Sequence, residues 1–483
     1  MNKELSQLQP ISVWTNFAKL NAVPRPSKDE ERVIAFVMNF GKALGLETVE
    51  DEVGNVIIRK PASKGMEHKK MVTLQSHLDM VHQKNADTIF DFNTQGIQMY
   101  VDGDWVKAKG TTLGADNGMG VAAILSLLES TTIAHPPLEA LFTIDEETGM
   151  TGAFGLKGGI LKGELLLNLD TEEDDEIDIG CAGGIDVTAT RSYTEKISVH
   201  GDVGYQIKVN GLKGGHSGID IDKGLGNANK IMNRLLYAGI AFHMRIGSLE
   251  GGSLRNAIPR ESVCLLNIDK RQVNSFLEAV TAVVEEIKQE LTLVEPDLNI
   301  QITGVEASKK VMGLGAQGKL IKGVYAAVNG VYVMSVAIPN LVETSNNIAK
   351  IEVKNGEITI GCLTRSSVET GKMDLAHSLK SVFDLAGFEV VFSGSYPGWH
   401  PNPNSKILKV AKGLYQDLFK EQARVVACHA GLECGILGQN YPEMDMISFG
   451  PTIIGPHSPD ERVSISSVQK FWKFLTALLK QTP

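Results

Sequence analysis

The segment KKMVTLQSHLDM, residues 69–80, has the pattern that decides the fold. Its short apolar run ends on His77 and Asp79, and ADNGMGVAAILSLLES, residues 115–130, follows with helical spacing behind a turn rich in Gly and Asn. The segments LEALFTIDEETG (138–149) and ELLLNLDTEED (164–174) repeat the form of a buried strand that ends in acidic residues. Strands that alternate with helices predict an α/β fold with a mainly parallel sheet.

This pattern returns near the end of the chain, where 405–419, 442–450 and 466–481 predict a helix, a strand and a helix. The middle differs. Strands such as GYQIKVNGL (204–212) and GEITIGCLT (356–364) alternate apolar and polar residues and flank long helices, which is typical of an antiparallel sheet with one face exposed. We therefore predict one α/β domain in two parts, residues 1–184 and 397–483, with an α+β domain inserted at 185–396.

The sequence of the predicted insert allows two interpretations, a single unit or an internal duplication. Asn256 lies five residues before Glu261, and Asn347 lies five residues before Glu352, each ahead of a strand and a helix. This spacing suggests a duplication, and both readings stay open on sequence alone.

Composition limits the classes of function. The 483 residues are 43% hydrophobic and 22% charged, which predicts a folded protein of two to three domains. A net charge of -10 argues against a nucleic-acid partner. No apolar run reaches the ~18 residues that cross a bilayer, and the first residues lack an apolar signal core, so we expect no membrane partner. Five cysteines without a C-x-x-C pair favour a reducing cytoplasm over a disulfide scaffold.

Potential metal ligands gather where the predicted strands end. They are His77, Asp116 in the turn before a helix, Glu146 and Glu147, Asp170, and His457 after the strand at 442–450. Any one of them could be a solvated acid or a helix cap, and Asp116 would make a good N-cap. Because ligands bind outside the carboxyl ends of parallel strands, the whole set predicts a metal site.

Imidazole and carboxylate ligands suit zinc, cobalt or manganese. The set is larger than one tetrahedral site needs, so a carboxylate that bridges two ions ~3.5–4 Å apart would use all of it. Of the adjacent Glu146 and Glu147, one can bind metal while the other acts as a general base, since successive residues leaving a strand point in different directions.

Eight segments of the chain form a specific set of motifs. They are SHLDMV (76–81), GADNGMG (114–120), DEETGMTGA (145–153), NLDTEE (168–173), KGGHSG (213–218), RNAIPRE (255–261), HAGLECG (429–435) and GPTIIGPHSPDER (450–462). Together they resemble the dinuclear zinc exopeptidases, and most closely the aminoacylhistidine (Xaa-His) dipeptidases, also called carnosinases. The resemblance covers nearly the whole chain. It implies a zinc-exopeptidase catalytic domain, with the insert as a lid that serves for dimerisation in some relatives.

The resemblance implies a ligand set for two divalent ions, most readily Zn. His77 and Asp170 would hold one ion, Glu147 and His457 would hold the other, and Asp116 would bridge them.

It also implies roles for five further residues. Asp79 would fix the tautomer of a ligand histidine, and Glu146 would take a proton from the water that bridges the metals and pass it to the leaving amine. His216 would donate a hydrogen bond to the oxyanion. Asn256 would bind polar groups of the substrate. Arg365 would bind the substrate carboxylate with its planar fork, although a surface role for Arg365 stays open.

The implied function is a cytoplasmic, metal-dependent dipeptidase that hydrolyses Xaa-His dipeptides, including β-Ala-His, through a water bridging two zinc ions. Other amidohydrolases of the superfamily are the alternative: a broad dipeptidase, a carboxypeptidase or an N-acyl amino acid deacylase. A non-catalytic peptide-binding protein is more distant, because Glu146 and Asp116 are both present. His429 and Glu433 are expected to line the substrate site or to support the ligands, and plain packing is the alternative. A monomer and a homodimer both stay open.

Overall fold

The computed structural model describes residues 4–336 and 338–483. The chain divides into two compact units. Unit 1 contains the chain up to Gly180 together with Trp399–Ala427 and Leu432–Pro483, and unit 2 contains Cys181–Gly398 and the short segment Cys428–Gly431. The segment Cys428–Gly431 of unit 2 lies outside the predicted insert at 185–396. The assignment of a catalytic part and a lid stays a prediction.

Eleven α-helices are found in the described part of the chain. They are α1 (Ile11–Asn21), α2 (Glu31–Ala43), α3 (Ala115–Glu129), α4 (Thr151–Gly155), α5 (Ala228–Gly239), α6 (Val273–Leu291), α7 (Leu314–Ala326), α8 (Glu369–Leu385), α9 (Lys406–Phe419), α10 (Glu433–Asn440) and α11 (Ile465–Gln481). Among the described residues, none of the helices combines the length and the apolar composition that a membrane span requires.

The strands of unit 1 are β1 (Glu47–Glu50), β2 (Val56–Lys60), β3 (Val72–His77), β4 (Met99–Asp102), β5 (Trp105–Ala108), β6 (Leu138–Thr143), β7 (Leu165–Asn168), β8 (Glu176–Cys181), β22 (Arg424–Cys428), β23 (Asp445–Ser448), β24 (Ile453–Ile454) and β25 (Arg462–Ser464), of which β8 and β22 end on a residue of unit 2. Those of unit 2 are β9 (Gly183–Ser192), β10 (Lys196–Ile197), β11 (Asp202–Asn210), β12 (Gly215–His216), β13 (Arg245–Gly251), β14 (Ala257–Ile258), β15 (Ser262–Asp269), β16 (Asn299–Val305), β17 (Lys310–Val311), β18 (Gly330–Met334), β19 (Val342–Lys354), β20 (Glu357–Ser366) and β21 (Glu389–Tyr396).

The main sheet of unit 1 has the strand order β1-β2-β6-β3-β7-β23-β8-β22. The four central strands β6, β3, β7 and β23 are parallel, and β2 and β8 run antiparallel to them. The prediction of a mainly parallel sheet is confirmed. Every residue of β3 and β6 is buried, as expected for strands covered on both faces.

The helices of unit 1 bury the faces that their sequences predict. Helix α3 is apolar all round and is buried along almost its whole length. Helix α11 is amphipathic, and the ring of Phe474 on its apolar face lies 5.0 Å from Phe449 and 5.5 Å from Tyr415, measured between centroids. Burial of one such aromatic side chain contributes roughly 1.5–3 kcal/mol.

Strand register brings the predicted ligands to one edge of the sheet. His77 at the end of β3 lies opposite Thr143 at the end of β6, and Gln75 lies opposite Asn168 at the end of β7. β3 and β6 therefore end at the same level and β7 ends two residues earlier, just before the segments that carry Glu146 and Asp170.

Unit 2 is built on an antiparallel sheet, as the alternating strands predict. Its order is β16-β11-β15-β13-β19-β20-β9-β21, with β18 also paired to β19. Strands β11, β13, β15 and β16 lie in the spatial order 4-1-3-2 along one half. Strands β9, β19, β20 and β21 repeat this order in the other half, and β13 pairs with β19 where the halves meet. Helices α5 and α6 in the first half correspond to α7 and α8 in the second.

This arrangement supports an internal duplication but not the asparagine pair that suggested it. Asn256 lies between β13 and β15, the second and third strands of its half. Asn347 lies within β19, the second strand of the other half. The two residues therefore occupy different positions in the repeat, and their equal spacing from a glutamate has no structural meaning.

Candidate metal centre

His77 and Asp116 form the centre of the ligand cluster in unit 1. His77 Nε2 lies 3.2 Å from Asp116 Oδ1, and His457 Nε2 lies 3.4 Å from Asp116 Oδ2. Each oxygen of the Asp116 carboxylate therefore faces a different imidazole. A carboxylate in this position can bind two cations, one on each oxygen.

Two further carboxylates complete the cluster. Asp170 Oδ1 lies 3.5 Å from His77 Nε2, and Glu147 Oε2 lies 3.0 Å from His457 Nε2. Ligand atoms of His77, Asp116 and Asp170 all lie within 4.8 Å of one another, and so do those of Asp116, Glu147 and His457. The structure thus brings all five predicted metal ligands together in two overlapping groups of three.

The donor atoms fit divalent metal ions. They are imidazole nitrogens and carboxylate oxygens without a thiolate, a set that suits zinc, cobalt or manganese. Among the described residues, Glu147 Oε1 is buried without a hydrogen-bond partner, so this oxygen has unused capacity to accept a ligand bond. The side chain of His457 is 56% exposed, which leaves one side of the cluster open to solvent.

Asp79 lies behind the cluster and accepts hydrogen bonds from several directions. His77 Nδ1 lies 3.2 Å from Asp79 Oδ1, and the Ser27 hydroxyl donates to Oδ2 at 2.8 Å. The backbone N–H groups of Glu146 and Glu147 also donate to this carboxylate, at 3.1 and 3.3 Å. Burial opposes ionisation of Asp79, but these hydrogen bonds outweigh it and keep its pKa below the usual range. Asp79 therefore orients the imidazole of His77 and holds the Glu146–Glu147 backbone.

The electrostatics of the cluster favour a bound cation. Burial, together with the neighbouring carboxylates, raises the pKa of Glu146 well above its usual range, and the pKa values of Glu147 and Asp170 are raised for the same reasons. Hydrogen bonds to Asp116 and Glu147 raise the pKa of His457 to about 11. Buried carboxylates that crowd together need positive charge, which a proton or a metal ion can supply.

The sequence pattern predicts Asp116 in a turn ahead of a helix, where it could serve as an N-cap. Instead, α3 begins at Ala115, and Asp116 and Asn117 have non-helical backbone angles within it. The backbone N–H groups of this turn donate hydrogen bonds to the carboxylate of Glu461, so Asp116 is not needed as a cap. Its side chain is thereby left for the cluster.

Two buried residues beside this turn, Arg25 and Glu461, were missed by the sequence analysis. Glu461 lies in the quoted segment 450–462, four residues after His457, and this proximity was the one signal that could have drawn attention to it. Arg25 lies about 90 residues from the turn that it contacts, and no sequence pattern marks it.

Glu433 and His429 do not belong to any group of clustered ligand atoms found in the described residues. Glu433 is fully buried in unit 1, where its Oε2 accepts hydrogen bonds from Gln75 Nε2 and the Thr143 hydroxyl, both at 2.6 Å. Burial raises the pKa of Glu433 to about 8. His429 lies in unit 2, and its Nε2 is 2.8 Å from the Ser345 hydroxyl.

The three predicted site residues of unit 2 lie close together. His216 pairs with Ala257 between β12 and β14, and the carbonyl of the neighbouring Asn256 accepts a hydrogen bond from Ser217. Arg365 is buried, and its Nη2 lies 3.4 Å from His216 Nε2. The guanidinium also donates to Tyr396 Oη at 2.7 Å. Arg365 is thus not a loose surface arginine.

The hydrogen bonds of His216 indicate its tautomer. Its Nδ1 accepts from the backbone N–H groups of Gly218 and Ile219 at 3.2 and 3.1 Å. An imidazole nitrogen that accepts carries no proton, so the proton of the neutral ring is on Nε2. His216 Nε2 and Arg365 Nη2 are then two N–H groups that lie 3.4 Å apart.

Imidazoles and carboxylates that converge at the carboxyl ends of parallel strands, with one carboxylate between two imidazoles at their centre, are typical of metal-dependent hydrolases with an α/β fold. The family model of peptidase family M20/M25/M40 matches residues 73–481. The chain belongs to this family and is a peptide-bond hydrolase.

Individual relatives agree with this assignment. The chain is 44% identical over 482 residues to the cytosol non-specific dipeptidase of Escherichia coli (strain K12), covering 99% of both chains. It is similar to the crystal structure of aminoacylhistidine dipeptidase from Vibrio alginolyticus, with 44% identity, a TM-score of 0.92, and coverage of 100% of this chain and 99% of that one. The resemblance found in the sequence motifs is confirmed.

A more distant structure shares the fold alone. Aminopeptidase PepT from Bacillus cereus ATCC 10987 is 15% identical, with a TM-score of 0.58 over 98% of this chain and 99% of that one.

Proposed function

We propose that the protein is a dipeptidase that works with two divalent metal ions held in unit 1. The observation that carries the proposal is the Asp116 carboxylate, whose two oxygens face His77 and His457 separately. His77 and Asp170 would hold one ion, Glu147 and His457 would hold the other, and Asp116 would bridge them. Zinc is the best fit to these donors, with cobalt or manganese as substitutes.

Two ions held in this way would lower the pKa of a coordinated water and polarise the scissile carbonyl. The chain's own residues then divide the remaining work. Asp79 fixes the tautomer of His77, because its carboxylate accepts from Nδ1 and leaves Nε2 for the metal. Glu146 is held beside Glu147 by the same carboxylate and would move a proton from the attacking water to the leaving amine.

We further propose that His216, Asn256 and Arg365 contact the substrate. His216 Nε2 would donate to the oxyanion, which agrees with the tautomer inferred from its backbone contacts. Arg365 would bind the substrate carboxylate, since a guanidinium held by Tyr396 keeps a defined orientation. Asn256 is exposed beside His216 and would bind polar groups of the substrate.

The proposed substrates are Xaa-His dipeptides, including β-Ala-His. The similarity to the aminoacylhistidine dipeptidase of Vibrio alginolyticus supports this specificity. A broad dipeptidase is the second candidate, because the equally similar relative from Escherichia coli is named a non-specific dipeptidase. A cytoplasmic location is proposed on the same relative's name.

The test is a substrate panel with the chelator-treated protein, before and after addition of Zn²⁺, Co²⁺ or Mn²⁺. The panel contains Xaa-His dipeptides, β-Ala-His, dipeptides with other C-terminal residues, N-acyl amino acids and tripeptides. Restored hydrolysis confined to Xaa-His peptides supports the first proposal, and restored hydrolysis of most dipeptides supports the second. Full activity in the metal-free protein, or turnover of acyl amino acids alone, would contradict both.

A further inference from the structure

We propose that Arg25 and Glu461 are positioning residues of the metal centre, which together set the backbone that carries Asp116. The inference rests on the proposed function, because it concerns the affinity of this centre for metal. Neither residue is among the clustered ligands found in the described residues, and each acts through the turn Leu113–Asp116.

Glu461 binds the N–H side of this turn. One carboxylate oxygen accepts from the N–H groups of Leu113 and Gly114 at 2.6 and 2.9 Å, and the other accepts from those of Ala115 and Asp116 at 2.7 and 3.2 Å. The side chain is 2% exposed. A buried carboxyl group with four backbone donors fixes the position of each of them, since any shift of the turn would break several buried hydrogen bonds at once.

Arg25 binds the opposite, carbonyl side. Its Nη2 donates to the Gly114 carbonyl at 2.5 Å, and its Nη1 donates to the carbonyls of Leu78 and Asp79 at 3.1 and 2.9 Å. The guanidinium therefore ties the turn that carries Asp116 to the segment that follows His77. Ligands from two separate segments are held at a fixed distance by one rigid, planar group.

The backbone around Arg25 leaves no spare room. A Cβ atom on Gly114 would lie 2.5 Å from Arg25 Nη2, and one on Gly118 would lie 2.7 Å from the same nitrogen. Gly114 also has a φ of 69°, in the left-handed region that favours glycine. The glycines of GADNGMG thus admit the guanidinium, which gives this motif a physical reason apart from the metal ligands.

The helix begins irregularly at this place, and this makes the two residues necessary. Asp116 and Asn117 depart from helical backbone angles inside α3, so the usual hydrogen bonds of a helix do not fix the backbone at Asp116. Glu461 and Arg25 replace them. Because Asp116 would touch both ions, an error in its position would weaken both sites.

The experiment compares Glu461→Gln with a control of the same kind elsewhere in unit 1. Glu139 is also a fully buried carboxylate that accepts backbone N–H groups, those of Lys162 and Gly163, and it pairs with Arg59. It lies near the amino end of β6, whereas the ligands follow the carboxyl ends of the strands. Zn²⁺ affinity and stoichiometry are measured on chelator-treated protein with a competing dye, and Co²⁺ absorption reports the ligand geometry.

We expect Glu461→Gln to weaken Zn²⁺ binding by about 10–100-fold at both sites and to alter the Co²⁺ spectrum, as removal of a group that orients metal ligands typically does. Glu139→Gln should lower the melting temperature but bind Zn²⁺ like the wild type. Activity of Glu461→Gln should recover at high Zn²⁺ with a nearly unchanged KM. Arg25→Lys keeps the charge but loses the fork, so it gives the same comparison if Glu461→Gln does not fold.

Two results would overturn the inference. In one, Glu461→Gln and Arg25→Lys lose stability yet bind two Zn²⁺ ions with wild-type affinity. In the other, Glu139→Gln weakens binding as much as Glu461→Gln does. A wild-type protein that fails to bind two ions would instead overturn the proposed function, and this inference with it.

Discussion

At the scale of single residues, the adjacent Glu146 and Glu147 should respond differently to the same substitution. Glu146→Gln removes the proposed proton carrier and should lower kcat by about 10²–10⁴ while the metal content stays near normal. Glu147→Gln removes a proposed ligand and should lower the occupancy of one metal site. Kinetics together with elemental analysis distinguishes them, and the reverse pattern of metal loss would exchange the two roles.

His216→Ala should bind both metals normally, keep a similar KM and lose about 10²–10³ in kcat, since a donor to the oxyanion acts mainly in the transition state. His377→Ala, on the exposed side of α8, is the control within unit 2. Steady-state kinetics and thermal melting are measured on both variants. A His216→Ala protein that melts earlier but turns over at the wild-type rate would limit His216 to a structural role in its turn.

Glu433 should make the stability of the metal-free protein depend on pH. Its pKa is about 8 in the folded protein, whereas an ordinary carboxyl group in the unfolded chain ionises near 4.5. Between these values the folded state keeps a proton on Glu433 that the unfolded state has lost. The contribution of Glu433 to the free energy of unfolding is therefore complete below pH 4.5 and falls as pH rises towards 8. Glu433→Gln mimics the protonated acid and should lack this loss.

The difference between the two proteins should be small near pH 5 and should grow in favour of Glu433→Gln by up to about 1.4 kcal/mol per pH unit. Urea unfolding in the presence of chelator from pH 5 to 8 measures it. Parallel stability curves for the wild type and the variant would mean that Glu433 is ionised in the folded protein.

The side chains that the structure brings together were largely predictable, because strand ends on one sheet edge must meet. His77 is the last residue of β3, and Asp170 and Glu147 follow β7 and β6. Arg25 and Glu461 were not predictable, because they bind backbone groups. Almost every residue type offers the same backbone N–H and carbonyl groups, so the sequence of the turn does not show which side chain will bind them.

At the scale of secondary-structure elements, the start of α5 should be more sensitive to substitution than the start of α9. Asn227 caps α5 by accepting from the N–H groups of Asn229 and Lys230, and its amide also donates to Asn347 and to the Ile348 carbonyl in β19. Ser405 caps α9 through the Leu408 N–H.

Asn227→Ala should therefore cost about 2–3 kcal/mol, because a cap is lost and buried acceptors of β19 lose a donor, whereas Ser405→Ala should cost about 1 kcal/mol. Denaturant unfolding measures both values. Equal losses would show that the bonds to β19 add nothing to the cap.

Elements with a strong periodic pattern were predicted well. The amphipathic segments at 405–419 and 466–481 form α9 and α11. The irregular start of α3 was not predicted, because its backbone angles depend on Glu461 and Arg25 rather than on local propensity.

At the scale of the whole molecule, metal should stabilise unit 1 and leave unit 2 unchanged, since all five proposed ligands belong to unit 1. An ion at 1,000 times its dissociation constant stabilises the state that binds it by about 4 kcal/mol. Hydrogen exchange with mass spectrometry can follow each unit separately. Zn²⁺ should slow exchange in peptides from β3, β6 and α3, with no change in β11 and β15. Equal protection of both sets of peptides would contradict a site confined to unit 1.

The repeat in unit 2 was only half visible in the sequence. The spacing of Asn256 and Asn347 suggested it, but the two halves are equivalent in the order of their strands and not in individual residues. Packing fixes this strand order, and many different residues satisfy the packing. Strand β9 also precedes the first half although it pairs within the second, and a search for two consecutive similar segments would miss this displacement.

That displaced strand has a consequence for the protein as it leaves the ribosome. The first half of unit 2 is contiguous from β11 to β16, so it can fold soon after its last strand emerges. Ile185 in β9 must wait for Thr364 in β20, about 180 residues later, which takes roughly 10–35 s at ~5–20 residues per second. Throughout that time Val187 and Ala189 have no native partner strand, and β9 is the segment that nascent-chain chaperones would be expected to bind.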